Sequence, residues 1–310
     1  MRRIYAADEH LMHDPATGLT HHAPTPLPTS RVRREDTEVS SWPVAAPGQL
    51  GRTMPLSVCW SPIVRCNLHC PQCLDDTTVP ELDATDRLRI AGVLAAAGVL
   101  GVDISGGEPL LLRDLPALAR RVAAGGRTAV SVTTNGWHLA RRAQELADTI
   151  DAIRVSLDGP DEASHDRIRG AGSFTRAQEG IRAALSAGIP LQIQMVLMTS
   201  NHATAQQMVD LAADFGAGGV TLLQMLPLGA GRQLYDEMLT DPAAARLLSG
   251  LRVPEGLRIR LRTRTSAGGF TVVRADGRVW RNDTGALRID GVRPLTTVAD
   301  LALTAPDGSA

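Results

Sequence analysis

Cysteine is scarce: the 310-residue chain has four, and three of them, Cys66, Cys70 and Cys73, fall within eight residues. A disulfide framework spreads its cysteines along the chain, so this clustering excludes one and points to a metal or cluster site in a reducing compartment. No apolar run approaches the ~18 residues a membrane span needs. The N-terminus, Met1-Arg2-Arg3-Ile4, is basic but has no apolar segment behind it, which excludes a secretory signal and implies a cytoplasmic protein. Charge of one sign is also lacking. At a formal net charge of −1, nothing global points to nucleic acid or a membrane surface as partner. What is present is a 44% hydrophobic fraction, enough for one large α/β domain and a small appendage.

Residues 1–54 read as an irregular N-terminal extension. Pro24, Pro26 and Pro28 argue against a helix, and only Arg31–Trp42 suggests an edge strand. From Leu56 the pattern alternates. Strands are expected at Leu56–Trp60, Gly101–Ser105, Thr128–Thr133, Ala152–Leu157, Leu191–Met198 and Val220–Met225. Helical spacing lies between them, as at Ile90, Val93, Leu94 and Ala97, with Asp83 as N-cap. Six βα units imply a parallel sheet, and six are too few for a closed eight-fold barrel. The expected fold class is therefore α/β: a partial (β/α)6 TIM-like barrel over residues 55–232, with ligands at the carboxyl ends of its strands. Residues 233–310 read as a small α+β appendage: a helix around Leu234–Leu248, then strands near Leu257–Arg264, Phe270–Arg274 and Arg278–Arg281. Asp276-Gly277 marks a hairpin turn between the last two.

The run Cys66-Asn67-Leu68-His69-Cys70-Pro71-Gln72-Cys73 follows the first strand. Three thiolates in one compact loop suit one face of an iron–sulfur cubane and leave the fourth iron open. A zinc site is the competing reading, but it needs a fourth ligand, and His69 is too close to Cys70 to share one tetrahedral ion with it. In its Cys-x3-Cys-x2-Cys spacing the segment resembles the signature of the radical S-adenosylmethionine superfamily. Gly106-Gly107-Glu108-Pro109, Thr134-Asn135-Gly136, Val155-Ser156-Leu157-Asp158-Gly159 and Arg169-Gly170 resemble further motifs of that family, at or just after the ends of predicted strands. The resemblance implies one [4Fe–4S] cluster on Cys66, Cys70 and Cys73. It implies S-adenosylmethionine bound by Gly106, Gly107, Glu108, Asn135, Ser156, Asp158 and Arg169. It also implies a 5′-deoxyadenosyl radical that takes hydrogen from a substrate, and an external electron donor of flavodoxin or ferredoxin type. Gln72 departs from the family, which often carries an aromatic residue or His there, near the adenine.

The stretch Phe270–Trp280 resembles the hairpin of the SPASM/twitch extension, but no cysteine follows Cys73, so the region is a degenerate form that positions substrate or caps the barrel. Two substrate classes stay open. One is a ribosomally made peptide (crosslinked, epimerised or dehydrogenated), with a separate leader-binding protein as possible partner. The other is a small metabolite such as a sugar, nucleoside or amino acid. A non-catalytic cluster protein is the third reading. Cys59, on the first strand, reads as a small core residue, with hydrogen-atom donor as its sharper role. Arg258, Arg260, Arg262 and Arg264 share one strand face, read as a solvated edge or as a dock for an acidic peptide or phosphate. His10, His13, His21 and His22 read as solvated loop residues, and so does His165.

Overall fold

The computed structural model describes residues 2–46, 50–74, 76–263, 270–281, 289 and 291–303. The N-terminal region departs from expectation. It forms a long antiparallel hairpin of β1 (Arg2–Asp14) and β2 (Leu19–Glu35), followed by a short helix α1 (Asp36–Ser40). Its prolines are accommodated because the pairing slips between Ala7 and Leu11. Pro24, Pro26 and Pro28 fall in that interrupted stretch and are exposed, so their missing N–H groups cost no ladder bond.

The remaining elements run β3 (Ser57–Trp60), α2 (Ala84–Ala96), β4 (Gly101–Ile104), α3 (Leu115–Ala123), β5 (Ala129–Thr134), α4 (Leu139–Ala147), β6 (Ala152–Ser156), α5 (Glu162–Arg169), α6 (Ser173–Ser186), β7 (Leu191–Leu197), α7 (Ala205–Phe215), β8 (Gly219–Gln224), α8 (Asp241–Gly250), β9 (Arg258–Arg262), β10 (Thr271–Val273), β11 (Arg278–Arg281) and β12 (Arg293–Pro294). Asp83 caps α2 by accepting from the Asp86 amide at 2.8 Å. Helix α8 starts later than the periodicity suggests, because Thr240 caps it and Pro242 sits in its first turn.

Strands β3 to β9 are parallel and lie in chain order, forming a partial TIM-like barrel. The six expected units are all there, and two strands from beyond residue 232 extend the same sheet. Strand β9 joins parallel to β8, and β10 joins parallel to β3 at the opposite edge. The β10–β11 hairpin turns at Asp276-Gly277, where Gly277 takes a φ of +72° that suits glycine.

One face of each strand packs outward. Val58, Trp60, Val102, Ile104, Val130, Val132, Ile153 and Val155 join Ile90, Leu94, Leu118, Leu139 and Ile181 from the helices in one core. The alternate residues face the barrel interior, and these are polar: register sets Cys59 beside Asp103, Asp103 beside Ser131, Thr133 beside Arg154, and Thr221 beside Arg260. The hairpin turn closes the amino-terminal end of this interior. Arg154 donates to the carbonyls of Ala16, at 3.0 Å, and Pro15; Arg260 donates to Thr17, at 2.8 Å. His13 covers Gly101 so closely that a Cβ there would lie 2.3 Å from its Nε2.

Candidate active site

Cys66, Cys70 and Cys73 lie in the loop after β3, at the carboxyl end of the parallel strands. The loop is tied from several sides. The Glu81 carboxylate accepts from the Val64 and Arg65 amides at 3.0 and 2.9 Å and from Arg65 Nε at 2.9 Å. The Gly107 amide donates to Ile63 and the Glu108 amide to Arg65, at 2.7 and 2.9 Å. From the loop after β8, the Ala230 amide donates to the Cys73 carbonyl at 3.0 Å.

The glycines of Gly106-Gly107 have a packing reason. A Cβ on Gly107 would sit 2.3 Å from the Arg65 carbonyl oxygen, and one on Gly106 would sit 2.3 Å from that of Ile63. Only glycine lets the end of β4 pass so close under the cysteine loop. Glu108 is fully buried, and its carboxylate already accepts three bonds: from Leu110 N at 2.9 Å, Thr134 Oγ1 at 2.7 Å and Asn135 N at 2.8 Å. It fixes Asn135, whose Nδ2 then lies 3.6 Å from Cys66 Sγ and 3.0 Å from Asn67 Oδ1.

Asp158 organises the other side. Its carboxylate accepts from Gln72 Nε2 at 2.7 Å, Arg169 Nε at 2.6 Å and Val196 N at 2.8 Å. Arg169 reaches on to Cys70 Sγ at 3.9 Å. Gln72, at the position where the family often carries an aromatic residue or His, is thus a buried strut between the cysteine loop and Asp158. Ser156 is half-buried at the end of β6. His165 is not a loop residue: it is fully buried in α5, and its Nδ1 accepts from the Asp158 amide at 3.1 Å.

Burial pushes the Cys66 and Cys70 thiols up, although the Leu68 amide, 3.3 Å from Cys66 Sγ, and Arg169 beside Cys70 act against it. Such thiols hold their protons until a cation sits beside them, which is how a metal cluster takes thiolates from a buried pocket. Burial alone would lower the Arg169 guanidinium, but Asp158 and Cys70 outweigh it and keep it charged. Burial and then Arg169 hold His165 down at about 4, so it is neutral. Burial raises the Glu108 carboxyl despite its three donors. Two buried polar atoms in the cysteine loop, Asn67 Nδ2 and Gln72 Oε1, have no protein partner. Among the described residues no three His, Cys, Asp or Glu side chains converge on a single-ion position. Three thiols with donors aimed at sulfur and orphaned polar atoms in their loop fit a three-cysteine cluster better than a lone zinc ion, which needs a fourth ligand.

Three further sequence readings change. Cys59 is not in the apolar core. It is half-buried and lines a cavity of about 180 Å³ with Ser61, Cys73, Ser105, Gly106, Phe270 and Trp280. The arginines of β9 are not a solvated edge, because they face the barrel interior. Arg260 reaches Thr17, Arg258 pairs with Asp14 at 3.1 Å, and the Arg262 guanidinium lies 4.7 Å from the Phe270 ring centre. Arg264 lies outside the described residues. All four N-terminal histidines lie in the hairpin strands and not in a loop: His10 and His22 are solvent-exposed there, while His13 and His21 are buried. Arg154 and Asp103, paired at 2.5 Å inside the barrel, carried no sequence signal beyond a charge within an apolar strand.

Residues 60–212 match the Radical SAM superfamily. The chain is 36% identical over 208 residues to a PqqA peptide cyclase from Streptomyces rochei, covering 63% of this chain and 55% of that protein. It is 30% identical over 177 residues to a probable GTP 3′,8-cyclase from Saccharolobus solfataricus, covering 56% of this chain and 58% of that one. The chain thus spans little more than half the length of these curated relatives. In fold it is similar to Streptococcus suis SuiB bound to the precursor peptide SuiA (TM-score 0.59, 14% identity, 73% of this chain and 59% of that one). It is also similar to anSMEcpe with bound AdoMet and Cp18Cys peptide (TM-score 0.58, 18% identity, 80% and 78%).

Proposed function

We propose that this chain, which belongs to the radical S-adenosylmethionine superfamily, is an enzyme that holds one [4Fe–4S] cluster on Cys66, Cys70 and Cys73 and modifies a peptide. When bound, the cluster supplies the electron for reductive cleavage of S-adenosylmethionine, whose adenosyl fragment takes hydrogen from the substrate. The observation that carries the reading is the triad itself: three thiols of one braced loop at the carboxyl mouth of a parallel barrel, with Leu68 N and Asn135 Nδ2 directed at Cys66 and Arg169 at Cys70.

The chain's own residues then divide the work. Gly106 and Gly107, Asn135, Ser156 and Arg169 surround the cosubstrate. Glu108 and Asp158 hold Asn135 and Arg169 in place, each carboxylate accepting three bonds from the protein. Asn135 and Arg169, as donors near sulfur, stabilise charge on the thiolates. The cavity beside Cys73 and Gly106 receives the reacting part of the substrate, and its largely apolar wall keeps water away. The peptide reading rests on the likeness to a peptide cyclase and to folds seen with bound peptides. The likeness to probable GTP 3′,8-cyclases favours a small metabolite as the second reading.

Anaerobic reconstitution tests the core claim. About four irons per chain are expected, since one triad holds one cubane; about eight would overturn the single cluster. Replacing all three cysteines by alanine should abolish 5′-deoxyadenosine formation, and its persistence would refute the assignment.

A further inference from the structure

The cavity beside Cys73 and Gly106 has a mostly apolar wall, interrupted by one pair of opposite charges, Asp76 and Arg274. Asp76 lies just beyond the cysteine loop, and Arg274 directly follows β10. The two do not close on each other. Arg274 Nη2 stands 3.9 Å from Asp76 Oδ2, which is beyond hydrogen-bond reach. Among the described residues the Arg274 side chain donates no hydrogen bond, although only 15% of it is exposed.

Local bonds hold both partners where they are. Thr78 donates to Asp76 Oδ1 through its amide at 3.0 Å and its hydroxyl at 2.5 Å, which leaves Oδ2 toward the arginine. Arg274 sits at the β10–β11 turn. Its amide donates to the Arg278 carbonyl at 2.8 Å, and its carbonyl accepts from the Gly277 amide at 2.9 Å. The Leu82 amide, donating to the Ala275 carbonyl at 2.9 Å, ties the segment after Asp76 to the same turn. The Thr78 hydroxyl and amide, and after them Arg274 and Arg232, hold the Asp76 carboxyl below its usual range, so it is ionised. A lone guanidinium would call for an anion. Here a second carboxylate would meet Asp76 at close range, and a cation would meet Arg274. A neutral group that accepts on one side and donates on the other suits both. An extended peptide residue is such a group, because its N–H and C=O point to the same side, as when paired residues of antiparallel strands exchange two bonds.

We infer that Arg274 and Asp76 clamp the main chain of the peptide substrate in this cavity, the guanidinium donating to a carbonyl and the carboxylate accepting from an amide of one extended residue. The inference rests on the peptide reading above and narrows it. The pair stands in for a neighbouring strand, and the charge on each partner makes its bond stronger than a ladder bond. Such a clamp reads backbone. Side-chain choice falls to the apolar wall, where Phe270 and Trp280 meet edge-on at 5.8 Å between ring centres.

The test uses the anaerobically reconstituted protein with S-adenosylmethionine and two probes, acetyl-Ala-Leu-Ala-methylamide and the depsipeptide in which an ester oxygen replaces the leucine N–H. The same amide probe with glutamate in place of leucine, and GTP, are titrated alongside, all by calorimetry. The leucyl amide should bind about 10-fold more tightly than the ester. Asp76→Ala removes the acceptor and should erase that difference, while Asp76→Asn keeps an amide oxygen and should retain part of it. Arg274→Leu should weaken both probes, and Arg274→Lys should weaken them less. Partial retention in the two conservative variants separates a lost bond from a lost fold. Equal binding of amide and ester to the wild-type protein, a difference surviving in Asp76→Ala, or no binding of the amide up to about 10 mM would overturn the inference. Tighter binding of the glutamyl probe than of the leucyl one would reveal an anion site and overturn the neutral clamp. Formation of 5′-deoxyadenosine is measured in the same wild-type samples. Its presence with equal binding of amide and ester sinks the clamp alone, and its absence with the amide preference intact sinks the radical reading alone. GTP bound in place of both peptides sinks the peptide reading and the clamp with it.

Discussion

Replacing Arg154 by methionine should detach the N-terminal hairpin from the barrel. Methionine keeps much of the volume but none of the donors. Arg154 is nearly buried, with 7% of its side chain exposed, and it serves two backbone carbonyls of the hairpin turn as well as Asp103. A buried acceptor left without a donor costs about 1–3 kcal/mol, and there are two such carbonyls. The broken ion pair adds less than an isolated buried charge would, because the Ser131 and Thr133 hydroxyls still hold Asp103, which is 24% exposed. The sum is about 3–5 kcal/mol. With a urea m-value of about 3 kcal/mol/M, the midpoint should fall by about 1–1.7 M. Limited proteolysis of the folded variant should also cut first in residues 1–46, because the turn loses its anchor. A loss under about 1 kcal/mol with an unchanged m-value would refute the claim that this arginine joins hairpin to barrel. Asp103→Asn should cost less, since both hydroxyls and one guanidinium contact can persist.

Three further outcomes are expected. Gly107→Ala would force a methyl against the Arg65 and Val64 carbonyl oxygens, 2.3 and 2.4 Å away, so iron loading after reconstitution should drop several-fold; normal loading would show that the loop can shift. His165 is held neutral down to about 4, below its unfolded value near 6.5, so the unfolded state takes up the proton first. Stability should therefore fall as pH drops through the window from about 6.5 to 4, by up to about 1.4 kcal/mol per pH unit, and His165→Asn should flatten that slope in urea titrations. Cys59→Ala should leave substrate turnover intact if Cys59 only lines the cavity; if it donates hydrogen, product should be diverted while 5′-deoxyadenosine still forms, as mass spectrometry of the product would read.

The sequence by itself determined the cysteine triad, its place after the first parallel strand, and the strand-end motifs that meet around it. These are local signals: short spacing brings three thiols together, and a βα repeat puts every strand's carboxyl end on one side. It also determined the Asp276-Gly277 turn, because only a glycine suits the positive φ there. Tertiary structure alone decided which way the alternating strands face. A period of two assigns Arg258, Arg260 and Arg262 to one face but does not say whether that face meets water or the barrel interior. The answer depends on β9 pairing with β8 and on the hairpin turn that meets Arg260 from a region about 240 residues earlier in the chain. The same holds for Cys59, whose strand reads as core until the partner strands show that its side faces the cavity. It holds also for the proline-rich N-terminus, where a slipped register, set by the fit of the two strands and not by local propensity, turns an apparent irregular arm into the closed end of the barrel.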